Sequence, residues 1–188
     1  MDTSTFKEYV GLALLELYKA DRYLYNVAAR LKIVEGEVVQ GMEKCTGYTD
    51  GVTVFLTPPW MEASQAKRLN TVTHEVLHVV SKHLQRIRPL THYNHMRMNV
   101  AADLSIMGQQ MELGQKTNIE DSVPNAQKYR NMDMFEIYDL LSPEDEQYDE
   151  GHPMVGQLGE GEEDGEGEES EGSARGMSLP APSPEEEF

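Results

Sequence analysis

Cysteine is nearly missing from this chain. Cys45 is the single one among 188 residues, so no intramolecular disulfide framework can form. That favours a reducing compartment. Cys45 lies in Lys44-Cys45-Thr46-Gly47 with no histidine nearby in sequence, and it reads as a small buried thiol rather than a nucleophile. Long apolar runs are also missing. Nothing approaches the roughly 20 residues of a membrane span. The N-terminal Met1-Asp2-Thr3-Ser4-Thr5 has neither a basic segment nor a cleavable apolar core. The expectation is a soluble, cytoplasmic protein. No sequence repeat is visible, and there is no excess of positive charge.

The charge that is present is acidic and uneven. The net charge is −17. Residues 142–188 hold sixteen acidic residues and one basic residue, Arg175, which gives −15. Residues 1–141 hold seventeen acidic and fifteen basic, which gives −2. The acidity therefore belongs to the tail and gives no support for a nucleic-acid-binding surface. Residues 160–171 are nearly all Gly and acid. Such a segment buries too little apolar surface to offset its ordering entropy, so 142–188 is expected to be a disordered acidic tail on a single domain, 1–141.

Within the domain, Phe6, Val10, Ala13, Leu14, Leu17, Leu24, Val27, Ala28 and Leu31 recur at helical intervals. They predict a first helix, with capping-box spacing at Thr5 to Glu8. Short β-prone pieces follow at Lys32-Ile33-Val34 and Glu37-Val38-Val39. The turn signal Thr49-Asp50-Gly51 then leads into a strand over 52–57, which Pro58-Pro59 stops. Leu69, Val72, Val76, Val79, Val80, Leu84 and Ile87 predict a second helix from about residue 62–64 to 87. Met96, Val100, Leu104, Met107 and Met111 predict a third from about Tyr93 to Met111. Its methionines read as core filler. A short last helix spans Met134–Leu141, with Asp133 as N-cap.

The second helix carries His74-Glu75-Val76-Leu77-His78, an H-E-x-x-H pattern. Residues four apart share a helix face about 6 Å apart along the axis. Two imidazoles so placed can grip one metal ion, and the intervening Glu75 can handle a water on that metal. The plainer reading is two hydrogen-bonded histidines on a packing helix. The position mid-helix, beside the apolar stripe and after a strand that could hold extended peptide, favours zinc.

A catalytic zinc wants a third protein ligand and an open position for water. His83, five residues after His78, is rotated about 140° from it on a continuous helix. It could join the pair only if the helix broke after His78, and no glycine follows to permit that. His92 and His95 lie in the connection to the third helix and at its start. Asp103 lies inside the third helix among Ala101, Ala102 and Leu104, where a carboxylate is expensive to bury unless paired or metal-bound. Asp103 is the leading third ligand. Asn99, one turn earlier, is a candidate for supporting the site from behind. The bland alternative makes Asp103 an exposed acid or a partner for Arg86 or Arg97.

Four blocks stand in one order: Thr49-Asp50-Gly51; His74 to His78 continuing to His83 and Arg86; Asn99-Val100-Ala101-Ala102-Asp103; and Met134 to Leu141. Over roughly residues 10–141 this resembles the putative metallopeptidase domain that precedes a von Willebrand factor A-like domain in many bacterial and phage proteins. The resemblance implies an α+β, zincin-like core of helices on a small sheet, with the H-E-x-x-H helix central. It places Asn99 and Asp103 in a second signature, N-x-A-A-D. The chain departs where that family usually has Asn four residues after the Asp and here has Met107, and the acidic tail resembles the linker to the second domain.

The resulting expectation is zinc-dependent peptide hydrolysis on a peptide or protein substrate. His74, His78 and Asp103 would hold Zn2+, and Glu75 would act as proton carrier. Tyr93, His92 or His95 are candidate donors to the oxyanion. The setting would be cytoplasmic, in the host cytoplasm if the protein is phage-encoded. The competing expectation is a non-catalytic zinc-containing regulatory module whose tail engages a basic partner.

Overall fold

The computed structural model of the chain describes residues 3–38, 43–116, 123 and 125–141. The acidic tail and Val39 lie outside these residues. The fold is α+β, mostly helical with one small sheet.

The first apolar stripe forms two helices. α1 (Thr3–Ala20) buries Phe6, Ala13 and Leu17, and α2 (Arg22–Ala28) buries Leu24 and Ala28. Asp21 separates them. Its extended backbone interrupts the first helix, and its carboxylate accepts the Leu24 N–H at 2.9 Å to start the second. The capping box expected at Thr5 does not form, because Thr5 already lies inside α1.

Three strands follow: β1 (Lys32–Glu35), β2 (Gly47–Thr49) and β3 (Thr53–Leu56). Glu37 and Val38 belong to no strand. The Asp50 carboxylate accepts the Val52 and Thr53 N–H groups, and Gly51 adopts φ +90°, so the predicted turn closes a β2–β3 hairpin. The sheet order is β1-β3-β2, with β1 parallel and β2 antiparallel to β3. The strand read from residues 52–57 is therefore the central one. Both of its edges are used, so it cannot align a substrate by strand addition, and that expectation is corrected.

The two prolines that end β3 also open a short helix, α3 (Pro58–Glu62), whose Trp60 is buried. Then comes α4 (Gln65–Val80), capped by the Ser64 side chain. It packs against α1, α2, α3 and the sheet. Val72, Val76 and Leu77 are fully buried there, each contributing about 1.5–3 kcal/mol over an exposed position. The predicted second helix does not run unbroken to residue 87. Lys82 adopts φ +55°, a left-handed conformation, and the chain restarts as α5 (His83–Ile87).

α6 (His95–Glu112), capped by Asn94, packs on α4 and carries most of its residues buried. A 3-10 turn (Ala126–Tyr129) and α7 (Met134–Leu140) pack on its other side around Val100, Leu104, Met107 and Ile137. Asp133 caps α7 as expected, and Glu136 completes a capping box with it. α4 and α6 thus run as neighbouring rods between two apolar clusters, and the polar residues on their facing sides have to be satisfied there.

Candidate metal centre

α4 presents His74 and His78 on one face, and α6 presents Asp103 opposite them. His78 Nε2 lies 3.0 Å from His74 Nε2 and 3.0 Å from Asp103 Oδ1. His74 Nε2 lies 3.4 Å from the same oxygen. Ligand atoms at about 2.0–2.1 Å from a tetrahedral zinc sit roughly 3.3 Å from one another, so the spacing suits that ion. His78 and Asp103 are buried, whereas the His74 side chain is 17% exposed. His74 is thus the one member of the cluster that reaches solvent.

The outward nitrogens of both histidines are held. His74 Nδ1 lies 3.2 Å from Gln110 Oε1, and the Gln110 amide nitrogen donates to the Asn70 carbonyl at 3.4 Å. A carbonyl only accepts, so the Gln110 amide must turn its oxygen to His74, and His74 must donate through Nδ1. In the neutral ring this leaves Nε2 with its lone pair facing inward. On His78, Nδ1 lies 2.8 Å from His83 Nδ1. His83 Nε2 lies 3.2 Å from Ser105 Oγ, which donates to the Ala102 carbonyl at 2.7 Å.

Electrostatics match this arrangement. Burial alone would lower His74, but the Asp103 carboxylate facing it, together with hydrogen bonds to Asp103 and Gln110, holds it up to about 9. Asp103 resists burial and is held well below the usual carboxylate range by the two histidines. Burial and the neighbouring His74 push His78 down, and burial and His78 push His83 down to about 3. Two inward imidazole nitrogens and a carboxylate oxygen converge on one point. Without a shared proton or a cation between them, their lone pairs oppose one another. This donor set fits a divalent metal, and it is the group of His, Cys, Asp and Glu side chains among the described residues that could hold one.

Glu75 follows His74 directly. It is buried, and its Oε1 has no hydrogen-bond partner. Burial pushes its carboxyl up to about 7, with His74 lowering it and Asp103 raising it. A buried acceptor left without a partner costs about 1–3 kcal/mol, so holding Oε1 there works against stability.

Among the remaining candidates, Asn99 is half-buried on α6, one turn before Asp103. His92 and His95 are exposed. Tyr93 packs with Leu84, Ile87 and Met98 and rests on the His95 ring at 4.4 Å. Arg86 pairs with Asp133, and Arg97 binds the Tyr138 and Leu141 carbonyls, so neither takes the place of a cation at Asp103. Cys45 is buried, donates to the Gly47 carbonyl, and is pushed up to about 11, first by burial. An unreactive thiol results.

Sequence reasoning missed three residues here. Gln110 lies seven residues after Asp103, two turns along the same face of α6, and that spacing could have found it. His83 was set aside on the assumption of a continuous helix. The left-handed Lys82 turns the chain so that the His83 ring meets His78, with ring centroids 4.9 Å apart. Ser105 carried no signal, since its role depends on His83.

A family model described as a putative metallopeptidase domain matches residues 5–184. No curated protein and no solved structure matches the chain.

Proposed function

Given that this chain belongs to the putative metallopeptidase domain family, we propose that it is a zinc-dependent hydrolase that cleaves peptide bonds in a peptide or protein substrate. His74, His78 and Asp103 would hold the ion. Zinc, when bound, supplies Lewis-acid polarisation of the scissile carbonyl and makes a water a nucleophile near neutral pH. Glu75 takes the proton of the attacking water and passes it to the leaving amine. Its Oε1 has no competing hydrogen bond to break before it does so. Gln110 and His83 keep the two imidazoles oriented through the cycle. Residues 1–141 would form the catalytic unit, and the acidic 142–188 would be a solvated appendage.

The observation that carries this reading is the unpartnered, buried Glu75 beside a three-acceptor cluster. A zinc kept only for structure, as in a regulatory module acting through the acidic tail, gives no reason to hold that carboxyl there at a cost. The Glu75→Gln variant separates the two. It should retain zinc at the wild-type stoichiometry and lose about 10²- to 10⁴-fold in the rate of cleavage of a quenched fluorescent peptide library. Undiminished cleavage by Glu75→Gln rules out the proton-carrier role.

A further inference from the structure

His78 is oriented by a side chain that is not a member of the cluster. The direction of each hydrogen bond behind it follows from chemistry. The Ala102 carbonyl can only accept, so the single hydroxyl proton of Ser105 goes to it at 2.7 Å. Ser105 Oγ is then left to accept, and the group facing it at 3.2 Å is His83 Nε2. His83 therefore carries its proton on Nε2. A neutral imidazole has one N–H, so His83 Nδ1 is an acceptor. The atom facing it at 2.8 Å is His78 Nδ1, which must donate. His78 Nε2 is left with a bare lone pair, directed at Asp103 Oδ1 and His74 Nε2.

We propose that His83 and Ser105 are positioning residues for the metal: Ser105 fixes the tautomer of His83, and His83 in turn fixes that of His78, so that His78 offers its Nε2 lone pair to the cation. This rests on the zinc reading above. The relay runs from α6 through α5 to α4, so three elements must keep register for His78 to be set. His83 is as buried as His78, 1% exposed, and its two ring nitrogens are spent on this relay. It is not a member of the cluster, and its effect passes through His78.

The test is zinc affinity of the full chain, measured by competition with a chromophoric chelator, for wild type, His83→Leu and His83→Asn. Asn places an acceptor oxygen near the position of Nδ1, whereas Leu fills the space without one. Removal of such an outer partner typically costs about 10- to 100-fold in metal affinity. His83→Leu should show that loss, and His83→Asn should recover most of it. Zinc bound equally tightly by wild type and His83→Leu overturns the inference alone. A wild-type protein that takes up no zinc overturns it together with the reading it rests on. A second measurement needs no variant. In the 15N-labelled, zinc-loaded wild type, His83 should carry its proton on Nε2, with scalar coupling across the hydrogen bond between the two Nδ1 atoms. A proton found on His83 Nδ1 refutes the relay, even if the leucine variant fails to fold.

Discussion

At the scale of single residues, the site is governed by the competition between a proton and a cation for one spot. His74 is held up to about 9, burial opposing and the Asp103 carboxylate prevailing. In protein stripped of metal, a proton therefore occupies the inward nitrogen of His74 at neutral pH. Incoming zinc must displace it, since a ligating imidazole has to be deprotonated. Apparent zinc affinity should rise by close to tenfold per pH unit up to about pH 9 and level off above it, because the competing proton has then gone. Titration of stripped protein between pH 6.5 and 10 reads this, and a flat profile contradicts the assignment of that proton. The pair His74 and His78, and Glu75 between them, were legible from spacing alone. Asp103 was legible because a carboxylate amid alanines and leucine needs a reason to be buried. The supporting Gln110, His83 and Ser105 were not read, because their partners lie on other elements.

At the scale of elements, the informative departures occur where the chain changes direction. The apolar stripe continued smoothly past residue 80, so periodicity could not reveal the break between α4 and α5. The break is made by Lys82 in a left-handed conformation, which costs a non-glycine residue roughly 1–2 kcal/mol. Such strain persists where the surroundings over-determine it, and here it delivers His83 to His78. Lys82→Gly should relieve it and raise stability by up to about 1 kcal/mol, with zinc binding intact. Lys82→Val, whose branched side chain resists positive φ, should destabilise the fold. Chemical denaturation of the two variants checks the contrast, and equal stabilities would mean that Lys82 is not strained. The break at Asp21 was better signposted, since Asp is a strong helix opener. The place of β3 was hidden for another reason. Strand order depends on pairing between distant segments, and β2 is only three residues long. It lies so close to α4 that a Cβ on Gly47 would come within 2.8 Å of the Thr71 methyl.

At the scale of the whole molecule, charge is divided unevenly along the chain. The described residues contain no helix long and apolar enough to cross a membrane, and residues 1–141 are nearly balanced in charge while 142–188 carry almost all the excess acid. The composition of that segment leaves little to pack, and Leu141, at its threshold, is already buried in the α6–α7 cluster. Truncation after Ser142 should therefore leave the melting temperature nearly unchanged. A drop of several degrees would place part of the acidic segment on the body of the protein. The α+β class was legible because the helical stripes are long and the strands short. The arrangement of α4 against α6, which makes the site, was reachable only through the chemical demand of Asp103.

Every role assigned to the site depends on His74, His78 and Asp103 enclosing one divalent cation. Elemental analysis of the protein purified without added metal, beside Asp103→Ala prepared identically, tests this most directly. Close to one equivalent of zinc in the wild type, and most of it gone from Asp103→Ala, is the predicted result. Wild-type protein free of metal, or a variant that keeps its full complement, would contradict it.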